Sequence, residues 1–315
     1  MDEAQAKFRV QAQTSSSARV LGVDFTSRPT ARKPIVMAWA HHKEGGVVVL
    51  EELVRAPDFD VFEAELKRHP SYVGGFDLPF GLPRELVLAL GWPTEWLACM
   101  QTFGAHTRAE LRALFMDFCA KRAVGSKFAH RGTDLCADSS SSMKWVNPPV
   151  AYMMHAGVPV LLSAGLTFVG LHPGDPKRLA LEAYPGLLAR EVLGSRSYKS
   201  DDRAKQTPDR LIARKDIVHA LELGLTRLGL RLKLTHAQRE ELIHEPQGDA
   251  LDAVLCAVQA AWGHTAHLQG LPLHGLPEPL DPLEGWIVSA VPTVKSPRPP
   301  SKKSRAKTSG KGVKP

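Results

Sequence analysis

VLGVDFTS, residues 20–27, decides how the rest of the chain is read. Three apolar residues and a glycine lead into Asp24, and Thr26 and Ser27 follow it. A carboxylate is costly in a core unless a cation or hydrogen-bond donors meet it. Asp24 therefore either closes a turn at the end of a strand or holds a metal or a substrate.

Working outward, PIVMAWAHHKEG and GVVVLEELVR are predicted strands, with Glu44-Gly45-Gly46 as the turn between them. Three strands in succession imply an antiparallel meander. DFDVFEAELKRH has helical spacing, with Phe59, Phe62 and Leu66 on one stripe. SYVGGFDLPF follows as a fourth strand that ends at Asp77. Residues 81–175 read as a helical stretch with a Ser-rich segment, DLCADSSSSMKW. RLALEAYP, carrying Glu182, is the fifth strand, and the helix GLLAREVLG and the basic loop SRSYKSDDRAKQTP come next. A long helix over 208–223 and a last one at GDALDAVLCAVQAAW complete the pattern, with EGWIVSA as a closing strand. The expected class is α/β, a mixed sheet with helices on both faces.

The bulk numbers narrow the function. The 315 residues suffice for a sizeable core, and no apolar run reaches the length of a bilayer span. The N-terminal stretch has no apolar signal-peptide segment, and the four cysteines are scattered without a CxxC pair. A reducing, cytoplasmic location is expected. The formal charge is +7, but residues 291–315 hold eight of the 40 basic side chains and no acid, leaving 32 basic against 33 acidic elsewhere. That Pro-, Ser-, Gly- and Lys-rich tail reads as a disordered cationic arm, suited to non-specific phosphate binding or to solubility alone. Residues 1–18 read as a disordered polar segment.

Carboxylates recur where elements end. Asp24 closes the first strand, Asp77 the fourth, and Glu182 lies near the end of the fifth; Asp249 and Asp252 open the last helix at i and i+3, sharing a face. Strands running side by side bring such residues to one edge. A cluster of this kind repels itself unless cations bind, and hard oxygen donors suit Mg²⁺ or Mn²⁺. Two ions roughly 4 Å apart serve phosphodiester hydrolysis, one activating water and one stabilising the leaving oxygen. Each residue also has a plainer reading. Asp24 and Asp77 suit Asx-turns, Asp249 an N-cap, Asp252 the helix dipole, and Glu182 a solvent-facing strand position.

The ordered set GVDFTS, GFDLPFGLP, LEAYPGLLARE, RSYKSD and GDALDAVLCA resembles the "domain of unknown function 429" family, regarded as predicted nucleases with a ribonuclease H-like fold. The second half is also similar to Holliday-junction resolvases. The resemblance covers residues 20–290. It implies a ribonuclease H-like domain over 19–290, with a five-stranded sheet and 81–175 as a helical insertion between strands 4 and 5. By the family pattern Asp24, Asp77 and Asp252 are metal ligands, with Asp249 a fourth. Glu182 and Tyr184 belong to a family motif, and Lys199 either faces the scissile phosphate or is a solvated loop lysine. The implied partners are DNA or RNA, and the resolvase likeness leaves a homodimer open.

Among other residues, His41 and His42 point to opposite faces of a strand and cannot chelate one ion together. His244 is read as a loop residue that helps product release or is simply exposed. HRGTD, with His130, Arg131 and Asp134, is read as a binding loop or a surface ion pair. Trp92, Trp96, Phe103, Phe115 and Phe118 read as an aromatic mini-core, with base stacking as the rival reading. Two rival functions are a non-catalytic nucleic-acid binder and an actin-like ATPase or kinase. GGFDLPFG fits the latter poorly, because its bulky residues stand where phosphate needs small ones.

Overall fold

A computed structural model describes residues 17–292. The expected arm over 291–315 lies outside the described residues except for its first two positions, and so does most of the 1–18 segment. The chain is α/β, with a mixed seven-stranded sheet and helices packed on it. No helix among the described residues is long and apolar enough to cross a membrane.

Strands β1 (Ala18–Asp24), β2 (Ile35–Lys43) and β3 (Val47–Ala56) form the antiparallel meander. Gly45 and Gly46 turn the chain between β2 and β3, both at positive φ (75° and 72°). Helix α1 (Phe59–Lys67) starts where the Asp58 side chain accepts from the Val61 N–H at 2.8 Å, and it buries Phe62 and Leu66. Strand β4 (Tyr72–Phe76) then inserts parallel to β1.

Five helices follow: α2 (Arg84–Ala89), α3 (Trp96–Ala105), α4 (Arg108–Ala120), α5 (Gly132–Cys136) and α6 (Val150–Ser163). Strands β5 (Leu166–Phe168) and β6 (Asp175–Glu182) and helices α7 (Pro185–Leu193) and α8 (Pro208–Leu223) come next. Strand β7 (Arg231–Lys233) and helices α9 (His236–His244) and α10 (Asp249–Leu268) complete the order. The sheet runs β5-β6-β4-β1-β2-β3-β7.

The sheet has seven strands rather than five, because β5 and β7, three residues each, pair at its two edges. Runs that short carry no readable alternation. The 81–175 segment is helical, but it also supplies β5, and its aromatics do not form a separate mini-core. Trp96, Phe103, Phe115 and Phe118 share one continuous core with Leu21, Val23, Met37 and Phe76 of the sheet, and Trp92 packs against it. EGWIVSA is not a strand. Only Ile287 bridges to Glu182, and Gly285 and Ser289, both at positive φ, turn the backbone away from extended geometry.

Alternation along the strands divides the interior in two. Leu21 and Val23 join the core with α1–α4 and α6, while Val20, Val36 and Ala38 join the core with α7–α10. Helix α10 is buried nearly all round and lies across β1 and β4. Glycine makes that approach possible. A Cβ on Gly22 would sit 1.9 Å from the Ala253 carbonyl oxygen, and one on Gly75 would sit 2.4 Å from that of Cys256. Gly22 and Gly75 each stand two residues before an aspartate, on the same face of the sheet as that aspartate.

Candidate active site

β1 and β4 are parallel neighbours, with Val23 opposite Phe76, and the Asp77 N–H donates to the Val23 carbonyl at 2.9 Å. Asp24 and Asp77 therefore leave adjacent strand ends side by side. Because they follow Gly22 and Gly75 by two, both project on the face where α10 starts. The N-cap of α10 is Gly248, at a positive φ of 76°, so Asp249 is the first helical residue and not the cap. Asp249 and Asp252 form its first turn, and Cys256, one turn on, lies beneath the cluster, its thiol pushed up by burial and then by Asp77, Asp252 and Asp24. Four of the sequence-nominated carboxylates thus meet at one end of the sheet. Asp24, Asp77 and Asp249 open into a cleft of about 450 Å³.

The four differ in how their charge is met. Asp252 is fully buried; Tyr198 Oη donates to one of its oxygens at 2.5 Å and Lys199 Nζ to the other. Burial raises the Asp252 pKa, and Lys199 and Tyr198 act against that rise. Burial alone would lower the pKa of the Lys199 ammonium, but Asp252, with Tyr198 and Asp24, raises it well above the usual range. Lys199 is therefore neither a free surface lysine nor a general base. The loop that carries it is fixed from behind, where Arg214 donates to the Tyr198 and Ile243 carbonyls at 2.7 and 2.6 Å.

Asp249 is met by Lys33, whose Nζ lies 2.8 and 3.0 Å from its two oxygens and 3.0 Å from Asp201. Sequence reading did not nominate Lys33 or Tyr198. No local pattern marks Lys33, which a loop brings 216 positions along the chain to Asp249. Tyr198 had a cue in its place beside Lys199 in SYKSD.

Asp24 and Asp77 have no hydrogen-bond or ion-pair partner among the described residues, and no local turn bond explains either. Burial, and then the Asp252 carboxylate, push the Asp24 pKa well above its ordinary value. The same two causes push Asp77 up to about 7. Among the described residues no group of three or more His, Cys, Asp or Glu side chains is arranged to hold a metal ion. Two lysines engage members of the cluster, Lys199 on Asp252 and Lys33 on Asp249.

Glu182 lines the same cleft and its charge acts on Asp77, but it is held differently from the four. Its strand partner is Phe76, so it projects to the opposite face from Asp77 and Asp24. There Arg131 grips it in two bonds, Nη1 to Oε2 at 2.8 Å and Nη2 to Oε1 at 2.6 Å, and the Phe80 N–H donates to Oε2 at 2.9 Å. Arg131 also binds Asp134 at 2.8 Å, and all three groups are buried. This corrects the reading of HRGTD as a surface ion pair, and of Glu182 as solvent-facing, while Arg131 also lines the cleft. The pair is an internal strap that ties α5 to the strand end, and Ser139 and Ser142 of the Ser-rich stretch close on Asp134. Unpaired, either charge would be costly at this depth.

His244 ends α9 and pairs with Glu240 at 3.2 Å, so it is no loop residue. No protein family matches the chain, and neither a curated protein nor a solved structure is significantly similar to it.

Proposed function

We propose that this chain is a divalent-metal-dependent nuclease, with a ribonuclease H-like arrangement of its five long strands. The observation that carries the reading is the pair Asp24 and Asp77, side by side at parallel strand ends, with Asp252 against them and only the Lys199 ammonium, itself bonded to Asp252, acting on both. The inner strand order β3-β2-β1-β4-β6 supports it, as does the resemblance of GVDFTS, GFDLPFGLP and GDALDAVLCA to the family of predicted nucleases.

The donor set is all hard oxygen, which fits Mg²⁺ or Mn²⁺, and at Asp24 and Asp77 the Lys199 charge does not offset burial and the Asp252 carboxylate. Asp24, Asp77 and Asp252 would hold the metal, with Asp249 as a fourth oxygen donor. When bound, one or two ions supply an activated water and charge stabilisation at the leaving oxygen. The chain's own groups do the rest. Tyr198 and Lys199 fix the rotamer of Asp252, and Lys199 offers positive charge at the cleft for a phosphate. Lys33 holds Asp249 at the mouth. Glu182, gripped by Arg131, acts as a support and not as a ligand.

One observation favours the rival, a non-catalytic nucleic-acid binder. Lys33 and Lys199 already neutralise two of the four carboxylates. One assay separates the two readings. The protein is incubated with Mg²⁺ or Mn²⁺ and labelled single strands, duplexes, RNA–DNA hybrids and four-way junctions, beside Asp24→Asn with Asp252→Asn. Cleavage by the parent and none by the double variant is expected. Binding without cleavage, unchanged in the double variant, would leave the binder.

A further inference from the structure

The loop from β1 to β2 runs from Asp24, past Thr26 and Ser27 on the cleft wall, to Lys33 at Asp249. Between them stands Arg28, which is exposed, and Arg108 of α4 reaches the same loop. Arg108 Nη2 donates to the Ser27 carbonyl at 2.8 Å, and its guanidinium lies over the Tyr152 ring at 5.1 Å. The Tyr152 hydroxyl returns a bond to the Arg108 carbonyl at 3.1 Å. The guanidinium is thus held in place with one of its five N–H donors engaged.

Its electrostatic surroundings are unfavourable. Burial and the neighbouring Arg28 both depress the Arg108 pKa. Arg108 is also the first residue of its helix, where negative charge is favoured. Among the described residues no carboxylate lies within ion-pair distance of Arg28 or Arg108. The bond to Ser27 fixes the Arg108 guanidinium beside the backbone of the exposed Arg28, so two cationic side chains flank the same loop. Planar donor forks suit phosphate oxygens.

The geometry points to Arg28 and Arg108 as a subsite for the phosphodiester backbone of a nucleic-acid strand, beside the acidic cleft and joined to it by Thr26 and Ser27. The 81–175 segment thereby supplies half of a substrate-binding element, which gives that segment a function beyond packing. The assignment deepens the nuclease reading and rests on it for the direction in which the strand runs, toward Asp24.

The test is fluorescence anisotropy of labelled oligothymidine against the full chain in EDTA, across a salt series. EDTA removes any need for metal or cleavage, so the cleavage assay of Asp24→Asn judges the catalytic reading separately. Arg28→Gln with Arg108→Gln is expected to weaken binding about tenfold. It should also reduce the slope of log affinity against log salt by about 1.4, two contacts at ~0.7 each on a single strand. Arg28→Gln alone, in an exposed loop that cannot unfold the protein, should remove about half of that slope. Lys177→Gln, at the far end of β6, is the charge-matched control for Arg28→Gln alone and should leave the slope unchanged. Loss no greater than in Lys177→Gln, or an unchanged slope in both arginine variants, would overturn the subsite.

Discussion

Helix α10 meets the sheet in opposite chemistry at its two ends. Its first turn brings Asp249 and Asp252 to Asp24 and Asp77, around a cleft of about 450 Å³. Its last turns bring His264 and His267 to His41 and His274 around a cavity of about 710 Å³, with His42 buried against His264. At the imidazole end, His42 and His264 share a proton between their Nδ1 atoms, 2.8 Å apart, and the His267 and His274 rings stack at 4.7 Å. Burial, and then neighbouring histidines, hold the His264 pKa down to about 4, so the His42–His264 pair is neutral and self-satisfied at pH 7. At the carboxylate end lysines meet Asp249 and Asp252, while Asp24 and Asp77, their pKa values raised, have no hydrogen-bond partner among the described residues. Buried polarity that is matched internally maintains the fold, whereas buried carboxyl groups left unpartnered at a cleft mark a place for a ligand.

The largest expected effect breaks the carboxylate end alone. Asp24→Asn should lower Mg²⁺-dependent cleavage at least ~10³-fold, about 4 kcal/mol, while the thermal midpoint holds or rises. A parallel fall in midpoint would instead make Asp24 a structural residue. Next in size, Gly22→Ala should break both ends together, because the added methyl meets the α10 backbone and must displace the helix. A loss of about 3 kcal/mol in urea unfolding is expected, at the upper end for overpacking. An unaffected midpoint would show that α10 can move off the sheet freely.

Acid sharpens the contrast at the imidazole end. The folded pKa of His264 lies below the unfolded value near 6.5, so its contribution is complete above 6.5 and declines as pH falls toward 4. Protonating both rings also puts two Nδ1–H donors face to face. The parent should lose about 2 kcal/mol more than His264→Asn between pH 7 and 4.5, read by urea midpoints at each pH. Parallel curves would mean that the pair does not titrate with folding.

The carboxylate end has the opposite sign. The folded pKa of Asp77, about 7, lies above its unfolded value near 3.9, so folding binds a proton between them. Its contribution is intact below 3.9 and is lost as pH rises to 7. In EDTA at pH 8, Asp77→Asn should therefore exceed the parent in stability by about 1 kcal/mol, after allowance for solvent in the cleft. The gap should shrink toward pH 4 and also when Mg²⁺ is added at pH 8. A gap insensitive to both would separate Asp77 from the proposed metal site.

Much of this was legible along the chain. The five long strands follow from apolar runs with turn signals, and α1, α8 and α10 follow from helical spacing. Asp24, Asp77, Asp249 and Asp252 were legible because each sits at a punctuated element end. Less legible were β5 and β7, whose three residues hold no pattern, and Glu182, whose register against Phe76 sends it to the other face. Reading Glu182 with the aspartates took position along the strand as a proxy for facing, and a one-residue offset reverses that.

By itself the sequence determined which residues can form strands, where carboxylates interrupt them, and that Gly22 and Gly75 precede two of those carboxylates by two. These are local properties, set by alternation, turn chemistry and the lack of a Cβ. Only the tertiary structure decided which charges meet. Lys33 on Asp249, Tyr198 and Lys199 on Asp252, Arg131 on Glu182 and Arg28 beside Arg108 are pairings between distant segments. Coulomb energy depends on distance and burial, and neither is a property of one stretch of chain.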